Sequence, residues 1–205
     1  MATLYEAACG TDVSVLAGLI GDVRIANEDG WLPLHFAAAF SPSVEVVQFL
    51  IDAYPDALKA RDMFGNCPIH EAAGRNPSVD VFQTLLALYP EGMQPSPVTG
   101  RRPLHETSVR RNVPLLRAVY QADITALDEE DDEGHAPYEL VSWLPTGTAA
   151  AAVREEESHR FFDSLFARRR WGLLKASTKL LALHKRGVIR ANHPEAKFLR
   201  GEFDE

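Results

Sequence analysis

Three histidines, His35, His70 and His105, stand 35 residues apart. Histidine is the commonest metal ligand and the usual proton carrier near neutral pH, so a regular series of them is where chemistry would be sought first. A shared zinc ion needs nitrogens at about 2.0–2.1 Å from one point. Neighbouring packed helices stand about 8–10 Å apart, so histidines supplied one per helical unit cannot converge on one ion. The spacing therefore suits a task repeated in each unit, and no metal site is expected. A second candidate is the acidic run Asp128–Glu133, which ends at Gly134. A calcium loop of the EF-hand type needs a glutamate six residues after its glycine, and Leu140 stands there instead. Cys9 and Cys67 lie far apart, which argues against a disulfide framework and for a reducing, intracellular compartment. The chain has no phosphate-cradling G-x-x-x-x-G-K, no dinucleotide G-x-G-x-x-G, no H-E-x-x-H, no G-x-S-x-G and no C-x-x-C. No catalytic residue and no cofactor is expected.

The elements that carry these histidines recur as a phrase. It reads DGWLPLHFAA around Gly30, FGNCPIHEAA around Gly65, TGRRPLHETS around Gly100 and EGHAPYELVS around Gly134. Pro33, Pro68, Pro103 and Pro137 keep the same register. Glycine supplies a turn that needs positive φ, and proline fixes the first helical residue, where its missing N–H costs nothing. A second amphipathic segment follows each phrase. Val44, Val47, Leu50, Ile51 and Tyr54 recur at helical spacing, as do Val79, Phe82, Leu85, Leu86 and Tyr89 one period later. Val113, Leu116, Val119 and Tyr120 repeat the pattern with one residue deleted. Tyr54-Pro55 and Tyr89-Pro90 close their helices, because a residue before proline avoids the α region. A period of this length means stacked helix pairs.

The phrase resembles the ankyrin repeat, whose signature T-P-L-H-x-A opens an inner helix after a glycine-centred hairpin. Leu34-His35-Phe36-Ala37-Ala38 and Ile69-His70-Glu71-Ala72-Ala73 match closely, Leu104-His105-Glu106 fairly, and Pro137-Tyr138-Glu139 is degenerate. The threonine is replaced each time, by Leu32, Cys67, Arg102 and Ala136. The resemblance implies an all-α solenoid of helix pairs with hairpin tips. It also implies that the repeated histidine hydrogen-bonds backbone in its hairpin. On this reading residues 1–26 form an N-terminal capping repeat. About four repeats fill 27–145, the last continuing to about 157, and 158–205 form a basic helical extension.

The charge is divided between the halves. Residues 1–145 carry 21 acidic and 9 basic side chains, a net −12, whereas 146–205 carry 8 and 12, a net +4. Such asymmetry bears on partners more than on fold. In the extension Phe161, Phe162, Leu165 and Trp171 form an apolar stripe, expected to cap the open end of the solenoid. Arg168, Arg169, Arg170, Lys175, Lys179, Lys185 and Arg186 form a basic face beside Trp171, suited to contacts with a partner. No apolar run approaches the roughly 18 residues of a membrane span.

The resemblance further implies binding through hairpin tips and the exposed side of the inner helices. Carried onto this chain, the partner-binding residues are Trp31, Phe40, Met63, Phe64 and Asn66, with Arg75, Arg101, Arg110 and His135 continuing the face. Trp31, Phe40, Met63 and Phe64 would form an exposed apolar patch of the kind that marks a contact site. The first functional expectation is a non-catalytic adaptor for a protein or peptide. A structural subunit on the edge of a large assembly, anchored through the basic helix, is the alternative. An electrostatic tether to a membrane surface or nucleic acid comes third, because a chain with a net charge of −8 is repelled by both.

Overall fold

The computed structural model describes residues 3–19, 21, 23–142 and 157–167. It divides into two units, Met1–His159 and Arg160–Glu205. The first unit opens with α1 (Leu4–Ala8) and α2 (Val13–Ala17). Three pairs follow: α3 (Pro33–Phe40) with α4 (Val44–Ala53), α5 (Pro68–Arg75) with α6 (Val79–Leu88), and α7 (Pro103–Arg110) with α8 (Val113–Ala122). No strand occurs among the described residues, so the chain there is all helix, turn and loop. The inner helices α1, α3, α5 and α7 pack in sequence, and the outer helices α2, α4, α6 and α8 stack behind them. This is the expected solenoid.

The core follows the apolar pattern. Leu34, Ile69 and Leu104 are buried on the inner helices, and Leu50, Leu85 and Val119 on the outer ones. Each fully buried side chain of this size contributes about 1.5–3 kcal/mol. Ala37-Ala38 and Ala72-Ala73 are fully buried small residues that let inner helices approach closely. Thr107 and Ser108 take the same places in the third pair. Their hydroxyls return to their own helix, donating to Pro103 O at 2.7 Å and Leu104 O at 2.8 Å, so burial leaves neither unsatisfied.

Each inner helix begins alike. Proline stands at the first position of α3, α5 and α7, and none of Leu32, Cys67 and Arg102 caps the helix with its side chain. The histidine supplies the reciprocal contact. His35, His70 and His105 accept at Nδ1 from the N–H of those residues at 3.1, 3.3 and 3.1 Å. In the degenerate fourth phrase Glu139 does the same for Ala136 N at 2.8 Å. Before each helix a hairpin finger turns on a glycine with φ between 67° and 82°. Fingers dock on one another through backbone: Met63 N donates to Asp29 O at 2.9 Å, and Asp132 N to Thr99 O at 3.1 Å.

The deleted residue of the third repeat has a structural consequence. Two residues, Arg111 and Asn112, join α7 to α8, where three join the helices of each earlier pair. Arg111 closes this shorter link in the left-handed region at φ 56°, the one positive φ outside glycine among the described residues. Its Nε donates to Val141 O at 2.6 Å, which holds the strained residue in place.

In the second unit residues 160–167 are helical, and Phe161, Phe162 and Leu165 are buried. The rings of Phe161 and Phe162 stand 5.6 Å apart in an edge-on arrangement. Trp171 and the expected basic contacts from Arg168 to Arg186 lie outside the described residues.

Candidate protein-interaction surface

The expected contact residues sit on two kinds of element, and the structure sorts them. The fingers carry Trp31, Met63, Phe64, Asn66, Arg101 and His135. The last turns of α3, α5 and α7 carry Phe40, Arg75 and Arg110.

Trp31 does not belong to an exposed patch. Its side chain is folded onto α3, 9% exposed, with its ring 5.0 Å from Phe36 and 6.2 Å from Phe40. Nε1–H donates to Asp62 Oδ2 at 3.0 Å, so the indole satisfies its one polar group inside the fold. Asn66 is also buried, with Nδ2 donating to Glu71 Oε1 at 3.2 Å. Arg101 is mostly covered and already engaged. Its Nε donates to Asp131 Oδ2 at 3.1 Å, with Glu133 and Glu106 within 4 Å of the same guanidinium. Part of the acidic run is thereby committed: Asp131 is 5% exposed and also accepts from Glu133 N and His135 N. Hydrogen bonds to the ionised form and the Arg101 charge outweigh the opposing effect of burial and hold its carboxyl below the usual range.

The remaining positions are open. Met63 and Phe64, at the tip of the second finger, are more than half exposed, and Phe40 is 43% exposed at the end of α3. Arg110 is exposed and makes no hydrogen bond or ion pair among the described residues. Arg75 pairs through Nε with Glu71 at 2.8 Å, and its guanidinium lies over the Trp31 ring at 5.4 Å. Phe40, Gly74, Arg75, Arg110 and the start of α8 line a groove of about 580 Å³. Glycine at 74 keeps its floor low, since a Cβ there would stand 3.3 Å from Glu106 Cβ.

The repeated histidines are structural. Nε2 of His35 meets Asn66 O at 3.3 Å, and Nε2 of His105 meets His135 O at 3.2 Å, each joining one finger to the next. Burial lowers the pKa of all three, that of His70 to about 4 with the Arg61 charge assisting. Burial acts oppositely on the neighbouring carboxyl of Glu71, raising it to about 7 against the attraction of Arg75. The signs give a prediction. His70 has a depressed folded pKa, so its contribution is present above about pH 6.5 and is lost as pH falls toward 4. Glu71 has a raised folded pKa, so its contribution is present below about pH 4.5 and is lost as pH rises through 7. Between pH 6.5 and 5 the two nearly cancel, each being on the order of 1–2 kcal/mol. His35, His105 and Glu106 add shifts of their own, common to wild type and variant, so the readout is a difference. Urea midpoints of Glu71→Gln should fall more steeply than those of the wild type between pH 6.5 and 5, by about that amount, and parallel profiles would show that Glu71 offsets nothing.

Asp131, Glu133 and His135 place one ligand-type atom each within 4.8 Å of one another. Arg101 already brings a positive charge to both carboxylates, so the cluster works as a brace between fingers three and four. Sequence reasoning missed a second brace. Asn76, fully buried, donates from Nδ2 to Ala38 O at 2.7 Å and Ser41 O at 2.8 Å. Ser41 Oγ donates to Gly10 O at 2.6 Å and Asn112 Nδ2 to Asn76 O at 3.1 Å. The signal was a polar residue recurring between paired helices at 41, 76 and 112.

Among the described residues no helix is long and apolar enough to cross a membrane. No curated protein matches the chain. A family model of ankyrin repeats matches residues 4–96 in three copies, and the glycine finger, proline start and bridging histidine continue that register through α7. Ankyrin repeats generally serve as protein–protein interaction modules, and residues 4–96 of this chain belong to the ankyrin repeat family.

Proposed function

We propose that the chain is a non-catalytic adaptor that holds a protein or peptide partner on the concave side of its repeats. The observation that carries this reading is the groove at the ends of α3, α5 and α7. There an exposed Phe40 shares one groove with the exposed Arg75 and Arg110, among Gly74, Val113 and Pro114. Met63 and Phe64 extend the same chemistry to the second finger, where a large aromatic or thioether side chain left in water suits an interface anchor. Trp31, Asn66 and Arg101 support this surface from below and are not offered as contacts.

The test is affinity capture from the source lysate with the wild type and with Phe40→Ala/Phe64→Ala. Each residue acting as an anchor contributes about 2 kcal/mol, so the double variant should lose the captured partner while keeping its helical spectrum and melting temperature. An outer-helix control, Asp80→Asn, should capture normally. Equal capture by wild type and double variant would place binding elsewhere on the molecule. Size exclusion of native extract then separates a free adaptor from an obligate subunit, which elutes only with a large complex.

A further inference from the structure

Phe40, Arg75 and Arg110 occupy one position in three successive inner helices, 35 residues apart, and all three line the same groove. Neighbouring packed helices stand about 8–10 Å apart. A polyproline II chain makes a turn every three residues and rises about 3.1 Å per residue, hence about 9.3 Å per turn. Side chains at i, i+3 and i+6 of such a chain fall on one side at the pitch of the inner helices. In a β-strand positions three apart point to opposite faces, so a strand would present only alternate stations.

The three stations differ in chemistry. Phe40 offers a ring that is 43% exposed. Arg75 is held by Glu71 through Nε and by the Trp31 ring, which leaves its Nη donors without a hydrogen-bond partner among the described residues. Arg110 stands in solvent with no ion pair among the described residues. The carboxyls nearest this row, Glu71 and Glu106, lie one turn back on the same helices; burial raises the pKa of each and the neighbouring arginines oppose it. Glu157 stands at the wall of the groove. The row is thus a basic strip with one aromatic end, set in a repeat region whose net charge is −12. Guanidinium forks recognise carboxylates with two parallel hydrogen bonds.

Building on the adaptor reading above, we infer that this groove takes an acidic segment in polyproline II conformation. An apolar side chain rests on Phe40, and carboxylates three and six residues away, in either chain direction, meet Arg75 and Arg110.

Selection of displayed random peptides on the full chain tests it. The expected enrichment is an aromatic or aliphatic residue with Asp or Glu three and six positions away. Selection on Arg110→Glu should lose the acid at the far station. A synthetic peptide from the wild-type selection should bind that variant about tenfold more weakly, about 1.4 kcal/mol, at an unchanged melting temperature. Replacing the far acid of the peptide by its amide should weaken binding to the wild type to a similar degree. Enriched sequences without acids, acids spaced two apart, equal affinity for Arg110→Glu, or no enrichment at all each overturn the inference. None of these touches the adaptor reading, whose failure appears separately as lysate capture insensitive to Phe40 and Phe64.

Discussion

Gly100→Ala should cost about 2–3 kcal/mol, whereas Gly134→Ala, at the same station one repeat later, should cost about 1–2 kcal/mol. Both glycines hold positive φ, 67° and 82°, so an L-residue pays about 1–2 kcal/mol at either. What differs is the space. A Cβ on Gly100 would stand 2.7 Å from Asp132 N and 2.5 Å from Asp132 Oδ1, while nothing lies within 4 Å of one on Gly134. The Asp132 side chain is exposed and can swing away, but its N–H is the donor that docks the fourth finger on Thr99 O at 3.1 Å. Relieving the contact separates the fingers and loses that bond, about 1 kcal/mol more. Urea unfolding of the two variants measures the difference. Equal losses would mean that the turn alone constrains Gly100 and that the finger contact adds nothing.

The contrast shows which parts of this protein were legible beforehand. Glycine, proline and histidine recur because each finger and helix start adopts the same backbone, and the same backbone demands the same residue. Their positions therefore announced the fold, and the histidine's role as a backbone tie came with the family resemblance. Surface assignments were less legible because they depend on what the next repeat places opposite. Trp31 looks like an exposed anchor until Asp62, 31 residues on, is found receiving its indole N–H. Arg101 looks like a free guanidinium until Asp131, 30 residues on, takes it. Phe40, Arg75 and Arg110 stayed exposed at the last turns of the inner helices, although the Trp31 ring reaches the first two. The polar residues between helix pairs resembled ordinary loop composition, and only the stack gives them partners.

Asn76→Ala should destabilise the protein by about 3 kcal/mol, far beyond an exposed loop substitution. The side chain is fully buried and makes three contacts that alanine cannot. Nδ2 satisfies Ala38 O and Ser41 O, and Oδ1 accepts from Ser78 N at 2.7 Å. Leaving buried carbonyls without a donor costs about 1–3 kcal/mol in place of the roughly 1 kcal/mol of an ordinary hydrogen bond. Both orphaned carbonyls belong to the preceding helix pair, so the loss falls on the interface between repeats rather than on one helix. Asn112→Ala removes a single donor, to Asn76 O, and the acceptor for Leu115 N at the start of α8, at a half-exposed site, and should cost about 1 kcal/mol. Repeat arrays transmit such losses to their neighbours, since stability is a sum of unit and interface contributions. Hydrogen exchange should therefore show α3 and α5 both losing protection in Asn76→Ala. Loss confined to the turn before α6 would mean that the asparagine caps one helix and does not join two repeats.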